Sequence, residues 1–145
     1  MKKFIFKLES LLNMRRKREE LVVQELAAAQ AAKVRIVNKI SDTKKIVNAL
    51  IEDSKSYLKA SIRIDSLLIS RNYIELLKKQ LAALEIELRT ADEKILQVKQ
   101  KLAEAVKQRK IIEKLKENQF TQYKKDYNKN DNAQMDEIAN NKPRP

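Results

Sequence analysis

The chain of 145 residues has no glycine, no cysteine and no histidine, and its only prolines are Pro143 and Pro145. Without cysteine and histidine, the chain has no disulfides, thiol nucleophiles, imidazole bases or Cys/His metal sites. Without glycine, turns and helix C-caps that need a positive φ must use other residues. We therefore expect few tight turns and a chain free to be helical up to its last residues.

Long apolar runs are also missing. The start, Met1 to Phe6, briefly resembles a signal peptide, but Lys7 and Glu9 interrupt the apolar stretch. No segment approaches the roughly 20 apolar residues that a membrane helix needs. We therefore expect a soluble cytoplasmic protein, which the absence of cysteine fits without establishing.

The second half of the chain carries an unbroken apolar stripe in steps of three and four residues. Its members are Ile74, Leu77, Leu81, Leu84, Leu88, Ala91, Ile95, Val98, Leu102 and Ala105. This spacing keeps the side chains on one slowly drifting face and predicts a coiled-coil seam that needs a partner helix. The first half has a weaker stripe with polar interruptions at Arg15, Glu19, Lys33 and Thr43. Its apolar members are Leu8, Leu12, Val22, Leu26, Ala29, Ile36, Ile40, Val47, Leu50 and Tyr57.

These patterns predict an all-α fold, a long antiparallel two-helix coiled-coil hairpin with residues 1–139 in one domain. Helix 1 is expected over about residues 4–57 and helix 2 over about residues 65–127, with the tip of the hairpin at about 58–64. A short helical segment is expected at 134–139, and a disordered tail at 140–145. Because the tip has neither glycine nor proline, one continuous helix remains the alternative.

Folding the chain near residue 62 aligns the defects of the two stripes. Facing residues then have numbers that sum to about 124, so Arg15 lies beside Arg109 and Lys33 beside Ala91. We expect the arginine layer to open into solvent, because a buried unpaired arginine is costly. The alternative is a specific ion network in which Glu19 neutralises the arginines.

Charge is strongly unbalanced, with 32 Lys and Arg against 20 Asp and Glu, a net charge of +12. The hairpin brings two basic clusters together at its open end. They comprise Arg15, Arg16, Lys17 and Arg18 with Lys107, Arg109, Lys110, Lys114 and Lys116. Such an end favours acidic partners, although a charge run on a long helix can equally be a solvated face.

The sequence argues against catalysis. Its carboxylate pairs, such as Asp92 with Glu93, lack the concave site that tunes catalytic groups, so we expect no enzyme activity, cofactor, metal or small-molecule substrate. Nucleic-acid binding has the charge but no aromatic stacking platform and is the less favoured alternative. Near the tip, Leu67, Leu68 and Ile69 exceed one stripe and form either a contact surface or a cap on the coil.

The ordered motifs of the chain resemble the FliJ family of flagellar type III export proteins. The resemblance covers nearly the whole chain. Its motifs are Phe4-x-Phe6-x-Leu8-Glu9-x-Leu11-Leu12-x-x-Arg15-x-x-x-Glu19-Glu20, Leu26-Ala27-x-Ala29, Tyr73-Ile74-x-x-Leu77 and Met135-Asp136-Glu137-Ile138-Ala139.

The resemblance implies a cytoplasmic stalk, similar to the central shaft of rotary ATPases, at the inner-membrane face of the flagellar basal body. Its expected partners are the hexameric export ATPase, the export gate membrane protein and export chaperones. Export-gate contact is implied for Tyr73 and Leu77 with Gln80, which departs from the small or apolar residue expected there. ATPase contact is implied for Phe4, Phe6, Leu8, Arg15, Arg16, Arg18, Met135, Asp136 and Glu137.

Three alternatives remain open at the level of sequence. An injectisome stalk would be of the same class, and a basic coiled coil could instead bind nucleic acid or a membrane surface. The strong stripe of the second half could also pair with a second copy and make a dimeric scaffold.

Overall fold

The computed structural model describes residues 2–59 and 63–141, and these form two long α-helices. Helix α1 is Glu9–Lys59 and helix α2 is Ile64–Asn140. Neither contains glycine or proline, so nothing in the backbone interrupts the hydrogen-bond ladder over 51 and 77 residues. The two helices pack against each other, and the described residues contain no strand, so the predicted all-α helical hairpin is confirmed.

The predicted tip covers about residues 58–64, while helix α1 ends at Lys59 and helix α2 begins at Ile64. Residues 60–62 fall outside the described residues, so the centre of that prediction is not addressed. At the start of α2, the amides of Ser66 and Leu67 donate to the carbonyl of Arg63. Asp65 places a carboxylate in the first turn, where the positive end of the helix dipole favours it.

Two helix ends differ from the sequence prediction. Helix α1 begins at Glu9 rather than near Phe4, because the preceding residues are non-helical and Phe6 is buried against other side chains. Helix α2 continues through the asparagine-rich stretch after Tyr127 to Asn140, without the predicted weakening. Relative to alanine, asparagine costs less than about 1 kcal/mol per residue in a helix interior, whereas proline costs about 3 kcal/mol. The first proline of the chain is Pro143. Residues 142–145 of the predicted tail lie outside the described residues.

The chain divides into two compact units. In the first, residues 2–22 and 101–141, the buried apolar side chains are Phe6, Leu12, Val22, Ala105 and Ile112. In the second, residues 23–100, they are Ile40, Val47, Leu77 and Val98. Apart from Phe6 and Ile112, all of these belong to the two predicted stripes. The single-domain prediction for residues 1–139 stays a prediction.

Polar contacts in residues 23–100 report the register of the two helices. Ser54 Oγ and Ser70 Oγ are 3.3 Å apart, Lys33 Nζ is 2.7 Å from Asp92, and Lys94 Nζ is 3.7 Å from Glu25. The residue numbers of each pair sum to within about five of 124. Lys33 therefore meets Asp92, one residue from the predicted Ala91. Within the described residues, no helix is both long enough and apolar enough to span a bilayer.

A candidate partner-binding surface at the basic end

The N-terminal strap, residues 2–8, precedes α1 and lies along α2 in an aromatic cluster. The ring of Phe4 is 5.2 Å from that of Phe120 and 5.4 Å from that of Tyr123, centroid to centroid. The hydroxyl of Tyr123 donates a 2.8 Å hydrogen bond to the carbonyl of Lys2. Tilted aromatic pairs at such distances add about 0.5–1.5 kcal/mol each to the area they bury, so the strap is held by several modest contacts.

A small core lies beneath the strap. Phe6, Leu12 and Ile112 are buried together, and Phe4 and Leu11 pack against them. Lys116 lies at the edge of this core. Its ammonium is 5.9 Å from the centre of the Phe6 ring and 2.8 Å from the carboxylate of Glu9. The strap, the start of α1 and the second half of α2 are thus joined by both apolar and charged contacts.

An ion network occupies the arginine layer. Arg109 donates to Glu19 on α1 and, at 2.7 Å, to Glu113 on its own helix. The side chains of Arg109 and Glu19 are only 22% and 21% exposed. The expectation that this layer opens into solvent is wrong, and the alternative of a specific network with Glu19 is the one observed. A pairing carboxylate satisfies the guanidinium that would otherwise be costly to bury.

The pKa of Arg109 is raised above its ordinary value. The main cause is the hydrogen bond to Glu19, which favours the charged form; burial opposes it, and the charges of Glu113 and Glu19 reinforce it. Arg109 is therefore a permanent cation that joins the two helices.

The remaining arginines divide between internal pairing and exposure. Arg15 donates to the side-chain oxygen of Gln108, which in turn donates to Glu104 at 2.8 Å. Arg16 lies 3.6 Å from Glu113 with its side chain half exposed. Arg18 is exposed and borders an open groove together with Arg15 and Glu104. Of the arginines in residues 15–18 and Arg109, it is therefore Arg16 and Arg18 that expose their positive charge to solvent.

A model of one protein family, described as the flagellar FliJ protein, matches residues 3–144. The chain belongs to the FliJ family. Membership makes it a protein related to flagellar export, as the sequence motifs predicted. Neither the comparison with curated proteins nor that with solved structures found a significant match.

The N-terminal residues for which the resemblance implied ATPase contact differ in their exposure to solvent. Phe6 is buried, Phe4 is half buried in the aromatic cluster, and Leu8 is exposed. Phe4 and Arg16 border the same small groove, with Lys116 and Phe120 on its other side. The two phenylalanines thus position the strap, while Leu8, Arg16 and Arg18 expose their side chains to solvent.

The C-terminal motif is exposed on α2. Met135 has 64% of its surface open to solvent, and Asp136 and Glu137 are also exposed. All three side chains are therefore accessible from solvent.

Residues expected to meet the export gate lie among residues 23–100. Tyr73 and Gln80 are exposed, and Gln80 borders a groove with Lys39 and Asp42. Leu77 is only 5% exposed and belongs to the core, so its side chain supports this face from beneath.

Sequence reasoning missed the aromatic cluster. Phe120, Tyr123 and Tyr127 recur at steps of three and four, which is a visible helical ridge. What the sequence did not show is that a non-helical segment would cover it. The apolar stripes predict contact between the two helices, whereas the strap contacts α2 through the Phe4 ring and the backbone carbonyl of Lys2.

Proposed function

We propose that this FliJ family member is a non-enzymatic stalk of the flagellar type III export apparatus. It binds the hexameric export ATPase, promotes the assembly and activity of the hexamer, and links it to the export gate membrane protein and to export chaperones. The observation that carries the proposal is the family match over residues 3–144. The arrangement of exposed charge and apolar side chains described above supports it.

The ATPase contact is assigned to the exposed side chains near both ends of the chain. Arg16 and Arg18 supply positive charge, and Leu8 supplies apolar area. Met135, Asp136 and Glu137 add a second exposed group on α2. The side chains of three further residues are engaged within the protein, so they position the surface and do not contact the ATPase directly. These residues are Phe4, Phe6 and Arg15. Many weak charged contacts suit a partner whose loops are acidic or rich in carbonyls.

The gate contact is assigned to Tyr73 and Gln80, with Leu77 as the buried support of their helix face. In this arrangement the protein works on the cytoplasmic side of the inner membrane at the flagellar basal body, held there by its protein partners.

ATP hydrolysis by the purified export ATPase tests the proposal. Addition of the chain at a substoichiometric ratio is expected to raise the hydrolysis rate. The double variant Arg16→Glu/Arg18→Glu is expected to need at least about tenfold more protein for half-maximal stimulation, because it reverses the exposed charges.

The matched control is Lys44→Glu/Lys45→Glu, which makes the same charge change at two exposed adjacent residues of α1. This control should stimulate as the unaltered chain does. Absence of stimulation by the unaltered chain contradicts the proposal. If both variants lose stimulation equally, the effect depends on net charge and not on Arg16 and Arg18.

A further inference from the structure

Helix α2 carries an apolar ridge that residues 2–59 and 63–141 leave largely uncovered. Ile111 and Leu115 are one turn apart, so they share a face of the helix, and their surfaces are 51% and 37% exposed. With Val106 they border an open groove of about 740 Å³. Around them stand Lys107, Lys110 and Lys114, and these six residues form the lysine-flanked face.

The lysines of this face are poorly neutralised. Lys114 Nζ lies 3.9 Å from the carboxylate of Glu117, and both side chains are largely exposed. In residues 2–59 and 63–141, no carboxylate lies within ion-pair distance of Lys107 or Lys110. On the inner side of the same helix, by contrast, Arg109 and Lys116 are each paired with a carboxylate of α1. The lysine-flanked face is therefore apolar along its ridge and positive at its edges.

From this combination we infer that the lysine-flanked face is a docking site for an acidic amphipathic helix of a partner protein. The apolar side chains of the partner helix cover Ile111 and Leu115, and its Asp and Glu residues at the flanks meet Lys107, Lys110 and Lys114. None of these six residues belongs to the proposed ATPase or gate contacts, so the site is an addition to them.

The hydrogen bonding and shape of α2 favour a helix as the partner bound at the lysine-flanked face. Its backbone N–H and C=O groups are already used within the helix, so an extended peptide cannot add to it as a strand. A ridge formed by residues four apart packs into the groove of another helix. A nucleic acid would satisfy the lysines but would leave the ridge of Ile111 and Leu115 facing phosphates, without apolar cover.

The test is a selection on the full-length chain from a displayed library of 18-residue helical peptides in which one face is randomised. Enriched peptides are expected to combine an apolar ridge with acidic flanks. Their binding, measured by fluorescence anisotropy, is expected to weaken at least about tenfold for Ile111→Ser/Leu115→Ser and for Lys107→Glu/Lys110→Glu. All four residues are at least partly exposed, and circular dichroism checks that helix content is kept.

Leu96→Ser/Lys99→Glu provides the control, since it removes one exposed apolar residue and reverses one exposed lysine elsewhere on α2. It should bind the selected peptides as the unaltered chain does. The inference is overturned if no peptide is enriched, if enriched peptides are neutral or basic, or if the control loses binding equally. Displacement of the peptides by a 20-base-pair DNA duplex at physiological salt also overturns it. The assay contains no ATPase, so its outcome is independent of the proposed function.

Discussion

Arg109 stands in the seam between the helices and is held there by two carboxylates. Glu19 lies on the facing helix and Glu113 one turn along its own. Because a partly covered cation without a partner costs free energy, removal of either partner affects the other. The three side chains thus behave as one unit, and a network of this kind also fixes which residues of α1 and α2 face each other.

Substitution of Arg109 tests that unit. Arg109→Met and Glu19→Gln should each lower the urea midpoint of unfolding. The double variant should lower the midpoint by less than the sum of the two single decreases, because the second substitution removes a side chain whose partner is already gone. Urea unfolding followed by far-ultraviolet circular dichroism measures this. Strictly additive losses would show that the pair does not interact.

The same network gives a pH prediction. The pKa of Arg109 is raised in the folded protein. The stabilisation from Arg109 is therefore complete at any pH below the ordinary pKa of arginine, and it is lost only when the pH rises through the raised pKa. The difference in urea midpoint between the unaltered chain and Arg109→Met should therefore be constant from about pH 7 to about pH 10. A difference that shrinks within this range contradicts the assignment.

Leu12 and Met14 provide a matched pair in the first turns of α1. Leu12 is fully buried, whereas Met14 is 68% exposed. Leu12→Ala should destabilise the protein by about 2–5 kcal/mol, because it removes a packed side chain and leaves a cavity. Met14→Ala should change stability by about 0.5 kcal/mol or less. Equal effects on the unfolding free energy would contradict the placement of the core.

At the scale of elements, the end of α2 differs from the rest of the helix. From Asn128 to Asn140 every residue is exposed, so this stretch buries little side-chain area to support its helical hydrogen bonds. Isolated helical segments of this length are marginal in water, since nucleation is costly and packing supplies most of the stability of helices in proteins.

Hydrogen exchange should resolve this difference along α2. Amides of residues 128–140 are expected to exchange fast, while those around Val98 and Ala105, on the buried face, are expected to be protected. Mass spectrometry of peptic fragments measures both in one experiment. Protection of residues 128–140 equal to that of the buried segment would show a packing partner for the end of α2.

The helices and their register follow from the sequence because an apolar stripe in steps of three and four defines both the element and its buried face. Leu12, Val98 and Ala105 were placed correctly by that rule. The same rule placed Leu77 in the core, where it is found, although the family resemblance implied a gate contact for its side chain. The rule says nothing about Phe6, which is buried from a non-helical segment. Ion pairs across the seam depend on side-chain reach, so the stripe alone could not choose between a solvent-open layer and the observed network.

At the scale of the whole molecule, the chain supplies its own partner for each apolar stripe. Buried residues of α1, such as Val22 and Ile40, and of α2, such as Leu77 and Val98, are covered within one chain. The dimeric scaffold that the second-half stripe could also support needs that stripe to be free. The net charge of +12 adds repulsion between copies.

The purified chain should therefore be a monomer. Light scattering coupled to gel filtration is expected to give a mass near 16.9 kDa at micromolar concentration. A mass of twice that value, unaffected by dilution, would support pairing of the second-half stripe between two chains.

The aromatic cluster of the strap also makes the protein its own optical probe. The chain has no tryptophan and only four tyrosines, so its near-ultraviolet spectrum is not dominated by indole. Tyr123 is the tyrosine hydrogen-bonded to the Lys2 carbonyl and stacked near Phe4 and Phe120, in an asymmetric surrounding. Circular dichroism in the tyrosine band therefore reports whether the strap is docked, without any label, whenever a partner is added.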